Sequence, residues 1–170
     1  MQPNKHIATA RRARTRWAGL PTGCRMEASS VRVRPARAAD AERISALITD
    51  LGFVAGPELV GAKLAILADQ WLAPLVAEAE EVIGCISISV MHVLHRPLPV
   101  GRLSMLVVAP AWRGKGVGRA LVEQALEMLR QAGCGLCEVT SNDALLDAHA
   151  FYERLGFERT SVRLARRLQP

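Results

Sequence analysis
The run Arg113-Gly114-Lys115-Gly116-Val117-Gly118 sets three glycines and two cations between an apolar segment, "LSMLVVAP", and a helix-like one, "GRALVEQALEMLR". Where a strand feeds a helix through such a turn, unpaired backbone N–H groups and the positive end of the helix dipole converge. Gly114, Gly116 and Gly118 let the chain take unusual φ angles and let a bulky ligand approach without meeting a Cβ. Arg113 and Lys115 add charge, so pyrophosphate is the natural guest. The spacing excludes two familiar phosphate loops. There is no G-x-x-x-x-G-K-[ST], and the glycines fall as G-x-G-x-G instead of the dinucleotide G-x-G-x-x-G. A glycine-rich turn that binds nothing is the plain alternative.

Other side chains with reactive chemistry are few. Tyr152 is the only tyrosine, a phenol of pKa about 10 when unperturbed. His149 stands three residues before it on the same helical pattern, a rival proton acceptor or a structural partner of nearby groups. Glu138 and Glu78 lie in strand-like runs, where an ordinary solvated strand face is the competing reading. His92 and His95 sit in a proline-containing loop that could wall a substrate or simply face water. The pair Cys134 and Cys137 has the spacing of a redox or zinc motif, but no second ligand pair accompanies it, and core thiols are the expectation. No metal is implied.

The elements around these residues read as an α/β chain. "VRVRPA" alternates as a strand, and "AADAERISALITDLGF" follows as an amphipathic helix with Asp40 as N-cap. "PELVGAKLAILADQ" is a second helix beyond the Gly52–Pro57 loop. "LAPLVAEA" and "EVIGCISISV" form a hairpin around Glu80 and Glu81, and "RLSMLVVA" is the strand before the glycine turn. A helix from about Gly116 to Ala132 carries the stripe Val117, Leu121, Ala125 and Met128. "LCEVTS" is a strand, "ALLDAHAFYERLG" a helix, and "TSVRLARRL" a final alternating strand.

Half of the 170 residues are apolar, enough for one core. The net charge of +6 is concentrated at the start: residues 1–30 hold six Lys/Arg against Glu27, leaving sixteen against fifteen beyond. The body is near neutral, so no nucleic-acid-tracking face is implied. Residues 1–30 read as a basic disordered tail or an over-extended start, and residues 31–170 as the domain. No run is long and apolar enough for a membrane span, and the scattered cysteines fit a reducing cytoplasm.

The stretch "VVAPAWRGKGVGRALV", followed by a strand, "SN" and "DAHAFYERLGF", resembles the GNAT superfamily of acyl-CoA-dependent N-acetyltransferases, whose signature turn is R/Q-x-x-G-x-G/A. The likeness in element order covers about residues 31–168, with its specific part at Leu103–Phe157. It implies a single-domain, mixed and mostly antiparallel sheet of about six to seven strands with about four helices, two central strands splaying to admit the cofactor. It implies acetyl-CoA as co-substrate and a primary amine, most simply on a small molecule, as acceptor. The amides of Arg113, Gly114, Lys115, Gly116, Val117 and Gly118 would take the pyrophosphate. Leu106, Val107 and Val108 would offer backbone bonds to pantetheine, Asn142 a side-chain contact, and Ala148 and Phe151 a cover over it. Tyr152 falls at the family's acid position. Some relatives carry a glutamate base where this chain has Ser104, which makes Glu138 the first substitute and Glu78 the second, acting through water. A second copy could pair with the alternating final strand.

Overall fold
The computed structural model describes residues 31–69 and 72–168. The tail expected over residues 1–30 lies outside them. In chain order the elements are β1 (Arg32–Pro35), α1 (Ala41–Asp50), α2 (Pro57–Asp69), β2 (Leu75–Glu78), β3 (Val82–Met91), β4 (Val100–Val108), α3 (Val117–Gln131), β5 (Leu136–Val139) and α4 (Leu146–Arg154). Short 3-10 turns precede α1, at Ala38–Asp40, and the glycine turn, at Pro110–Trp112.

Sequential strands are neighbours in one sheet of order β1-β2-β3-β4-β5. The first three pairings are antiparallel and β4 with β5 is parallel. A parallel pair cannot be joined by a tight turn, and α3 is the crossover that joins this one. The stripe Val117, Leu121, Ala125 and Met128 is buried, packing α3 on one sheet face against Ile86, Ile88 and Leu103. On the other face Ile44 and Leu47 of α1, with Val60 and Leu64 of α2, cover Val76, Val82, Cys85 and Val107.

Two expectations give way. Asp40 does sit at the α1 N-cap position, but its carboxylate does not cap that helix. It accepts two bonds from Arg34, at 2.7 and 2.9 Å, and one from the Arg37 N–H at 2.7 Å. Arg34 also donates to Glu78 at 2.9 and 2.5 Å, tying β1 to the start of α1 and to β2. The fork of a guanidinium fits two carboxylates better than helix N–H groups fit one. The expected final strand is also absent: residues 157–167 have no regular structure and the described sheet has five strands. Alternation alone does not make a strand. Val162 and Leu164 find no neighbouring strand and stay exposed.

Candidate functional site
The sheet opens between β4 and β5. Their pairing runs from Val100 opposite Leu136 to Leu103 opposite Val139 and stops, while β4 continues to Val108. The Ala109 N–H donates to Ile83 O at 2.8 Å, so the alternate residues Val107 and Met105 turn their backbone groups toward β3. Leu106 and Val108 therefore turn theirs toward the gap. One is already engaged, since Arg113 Nε donates to Val108 O at 3.1 Å. The gap opens at an irregularity. Ser87 faces Met105 and Ile88 faces Leu103, leaving Ser104 as the extra residue of a β-bulge, exposed, with its Oγ donating to Ser87 O at 3.1 Å.

The glycine turn lies beyond the end of β4. Gly114 and Gly116 have φ of +72° and +81°, a region side-chain-bearing residues rarely enter, and Gly116 is the residue preceding α3. The bond from Ala120 N to Gly116 O, at 3.0 Å, is the first of the helix. The N–H groups of Val117, Gly118 and Arg119 have no partner within it. Gly118 lies close to α4. A Cβ there would stand 3.4 Å from Phe151 Cζ and 3.7 Å from Val108 Cγ2, in ordinary contact, so a methyl would fit but a longer side chain would meet the Phe151 ring of α4. Lys115 Nζ lies 5.1 Å from the Trp112 ring centroid, a cation–π contact that holds one of the turn's two cations.

Helix α4 borders the gap from the α3 face of the sheet. Phe151 and Tyr152 meet edge to face at 5.1 Å, and Phe157, returned by its N–H bond to Tyr152 O at 3.1 Å, meets Tyr152 at 5.5 Å. Burial, with the Cys137 thiol beside it as a smaller cause, pushes the Tyr152 phenol up to about 12. Burial likewise pushes Cys137 up to about 11. Ala148 is half-buried on the same helix. Asn142 is exposed, its Oδ1 accepting from Ala144 N at 3.0 Å in the turn that leads into α4. The Nδ1 of His149 is buried with no partner among the described residues.

The carboxylates divide. Glu78 is committed to Arg34 and Arg32 at the β1–β2 side of the sheet, away from the gap, and those guanidiniums, Arg34 first, hold it below the usual carboxylate range. Glu138 stands opposite Arg102 at the last paired position but one before the gap. Arg102 Nε donates to its Oε1 at 2.7 Å, and Nη2 donates to the same oxygen. Its strand neighbours Cys137 and Val139 pack toward α3, as Tyr152 does, which puts Glu138 on the opposite face. His92 and His95 are exposed in the β3–β4 loop. Three features escaped the sequence: the Ser104 bulge, the Arg102 partner of Glu138 and the Trp112 contact. Only the aromatic three residues before Lys115 left any signal.

The sequence and the fold have counterparts among known proteins. The model of the acetyltransferase (GNAT) family matches residues 45–157. An aminoalkylphosphonate N-acetyltransferase of Salmonella typhimurium is 39% identical over 88 residues, 52% of this chain and 57% of that protein. The matched stretch thus spans little more than half of that relative's length. A glucosamine 6-phosphate N-acetyltransferase of Trypanosoma brucei brucei is 32% identical over 109 residues, 59% of this chain and 72% of that one. Among solved structures, an aminoglycoside N-acetyltransferase in complex with CoA superposes with a TM-score of 0.73 at 22% identity, over 89% of this chain and 100% of that one. That likeness is one of fold.

Proposed function
Because this chain belongs to the GNAT acetyltransferase family, we propose that it moves an acetyl group from acetyl-CoA to a primary amine of a small molecule. The observation that carries the reading is the gap between β4 and β5, with the backbone groups of Leu106 and Val108 turned toward it and a glycine turn beside it whose first N–H groups have no helical partner. These residues fit the cofactor. The amides of Arg113 to Gly118 would hold its pyrophosphate, with Lys115 near by. Leu106 and Val108 would flank the pantetheine, Arg113 yielding Val108 O to it, while Asn142, Ala148 and Phe151 close the other side; Val107, expected to join them, has its backbone turned to β3 and its side chain buried under α1 and α2. When bound, acetyl-CoA supplies an acyl group already activated as a thioester.

The chain's own residues then have separable tasks. Tyr152 holds a proton on the α4 side, where the departing sulfur needs one. Glu138 stands on the opposite sheet face, where an amine would approach, and takes the amine's proton through water. Holding both reactants in one gap supplies much of the acceleration. Relatives named for acetylating aminoalkylphosphonate and glucosamine 6-phosphate support a small acceptor.

Release of CoA thiol from acetyl-CoA, measured with a panel of amines beside calorimetric binding of acetyl-CoA, tests this. Release that depends on the amine is expected. Tight binding with no release from any amine, peptide amines included, would make the chain a binding module and overturn the reading.

A further inference from the structure
Resting on that reading, the geometry points to an acceptor that carries an anionic group as well as its amine, held by the Arg102–Glu138 pair. The sheet face covered by α1 and α2 is apolar as far as Cys85 and Val107 and then turns polar. By strand alternation Ser87 and Ser89 share the face of Cys85, since Ile86 and Ile88 pack against α3. Arg102 and Glu138 join them there, because their neighbours Leu103, Cys137 and Val139 also pack toward α3. Exposed Ser104, bonded to Ser87 O, completes the row at the vertex of the gap. Among the described residues no helix packs on this patch. Arg102 and Glu138 are 39% and 38% exposed, so both remain open to a ligand.

The pair is bonded in a lopsided way that leaves complementary groups free. Both donors of Arg102 used, Nε and Nη2, point to the single oxygen Oε1. Nη1 and Oε2 have no hydrogen-bond partner among the described residues. Because Nε and Nη2 face the carboxylate, Nη1 is turned away from it and can take an anion, while Oε2 stays open to a proton relayed by water. Arg102 lies two residues from Ser104, about 7 Å along the strand. A short acceptor anchored there by its anion presents its amine at the vertex. Arg102 is thus a specificity-determining residue for the acceptor.

The test compares amines matched with and without the anion: β-alanine against β-alaninamide for a carboxylate, and O-phosphoethanolamine against ethanolamine for a phosphate. The wild type should show kcat/KM at least about tenfold higher for the charged member of one pair, the arm that responds naming the anion. Arg102→Gln should bring that ratio to about one and Arg102→Lys should keep part of it, because the charge survives without the fork. Arg130→Gln, which removes an exposed cation on α3, should leave the ratio as it is. Thermal melting and acetyl-CoA affinity, measured beside these rates, report whether each variant is folded. Ratios near one in the wild type, or a ratio that survives in folded Arg102→Gln, would reduce the pair to a cross-strand ion bridge and overturn the inference. Absence of turnover with every amine would instead defeat the transferase reading beneath it.

Discussion
Replacing Tyr152 by Phe removes one oxygen and keeps the ring contacts with Phe151 and Phe157. The size of the effect can be gauged from the neighbouring thiol. Burial takes Cys137 from an ordinary 9.0 to about 11, a factor of about one hundred in its thiol–thiolate balance. A CoA sulfur leaving beside Tyr152 as a bare thiolate would meet the same surroundings. Because Cys137 keeps part of its surface in water, the penalty is reduced to about 1.5–2.5 kcal/mol, roughly 10- to 70-fold in rate. With Tyr152 at about 12 and the gauge thiol at about 11, the proton is well matched to its destination. Tyr152→Phe should therefore lower kcat roughly 10- to 70-fold while leaving acetyl-CoA affinity within about twofold. An acid is lost as pH rises through its pKa, so the wild-type rate should not fall on this account below about pH 10. Saturating thiol-release assays across that range, with calorimetry of acetyl-CoA, measure both. A variant within twofold of the wild type, or a wild-type rate that declines between about pH 7 and 9, would refute the assignment.

The two ends of the glycine turn should respond differently. Gly116→Val forces a β-branched residue into a φ of +81°, at a cost of at least about 1–2 kcal/mol to the turn, and should weaken acetyl-CoA binding about tenfold by calorimetry. Gly118→Leu thrusts a side chain at the Phe151 ring, 3.4 Å from its would-be Cβ, and should displace α4 and lower kcat more than affinity in the same assays. Asp40→Asn leaves the buried Arg34 with Glu78 as its remaining carboxylate and should cost about 2 kcal/mol in urea unfolding at pH 7. The Arg34 hydrogen bonds hold Asp40 below its ordinary 3.8. Its contribution is therefore whole above about pH 4 and is lost as pH falls through the lowered value, so the gap between variant and wild type should close in acid.

Much of the candidate site's local geometry was legible because its parts are local. The Gly114 and Gly116 conformations, the buried α3 stripe and the α4 aromatics each follow from spacing within a few residues, and the structure assembles them around one gap. What depended on pairing was not legible. Ser104 reads as an ordinary strand residue until β3 is laid beside it and it becomes the bulge. Glu138 and Glu78 look equivalent as strand carboxylates, yet register gives one to Arg102 at the gap and the other to Arg34 at the far side. "TSVRLARRL" alternates as a strand should, and without a neighbour its apolar residues stay in solvent. Gly118 matched the motif, but its closeness to the Phe151 ring is a tertiary contact.

Transfer itself is the most direct test of the account. Acetyl-CoA labelled in its acetyl group would be turned over with the best amine, and the label followed by mass spectrometry. Direct transfer requires one labelled acetyl on the amine for each CoA thiol released, and no labelled protein. Thiol release that leaves the amine unlabelled, or label retained on the chain as an obligatory intermediate, would contradict it.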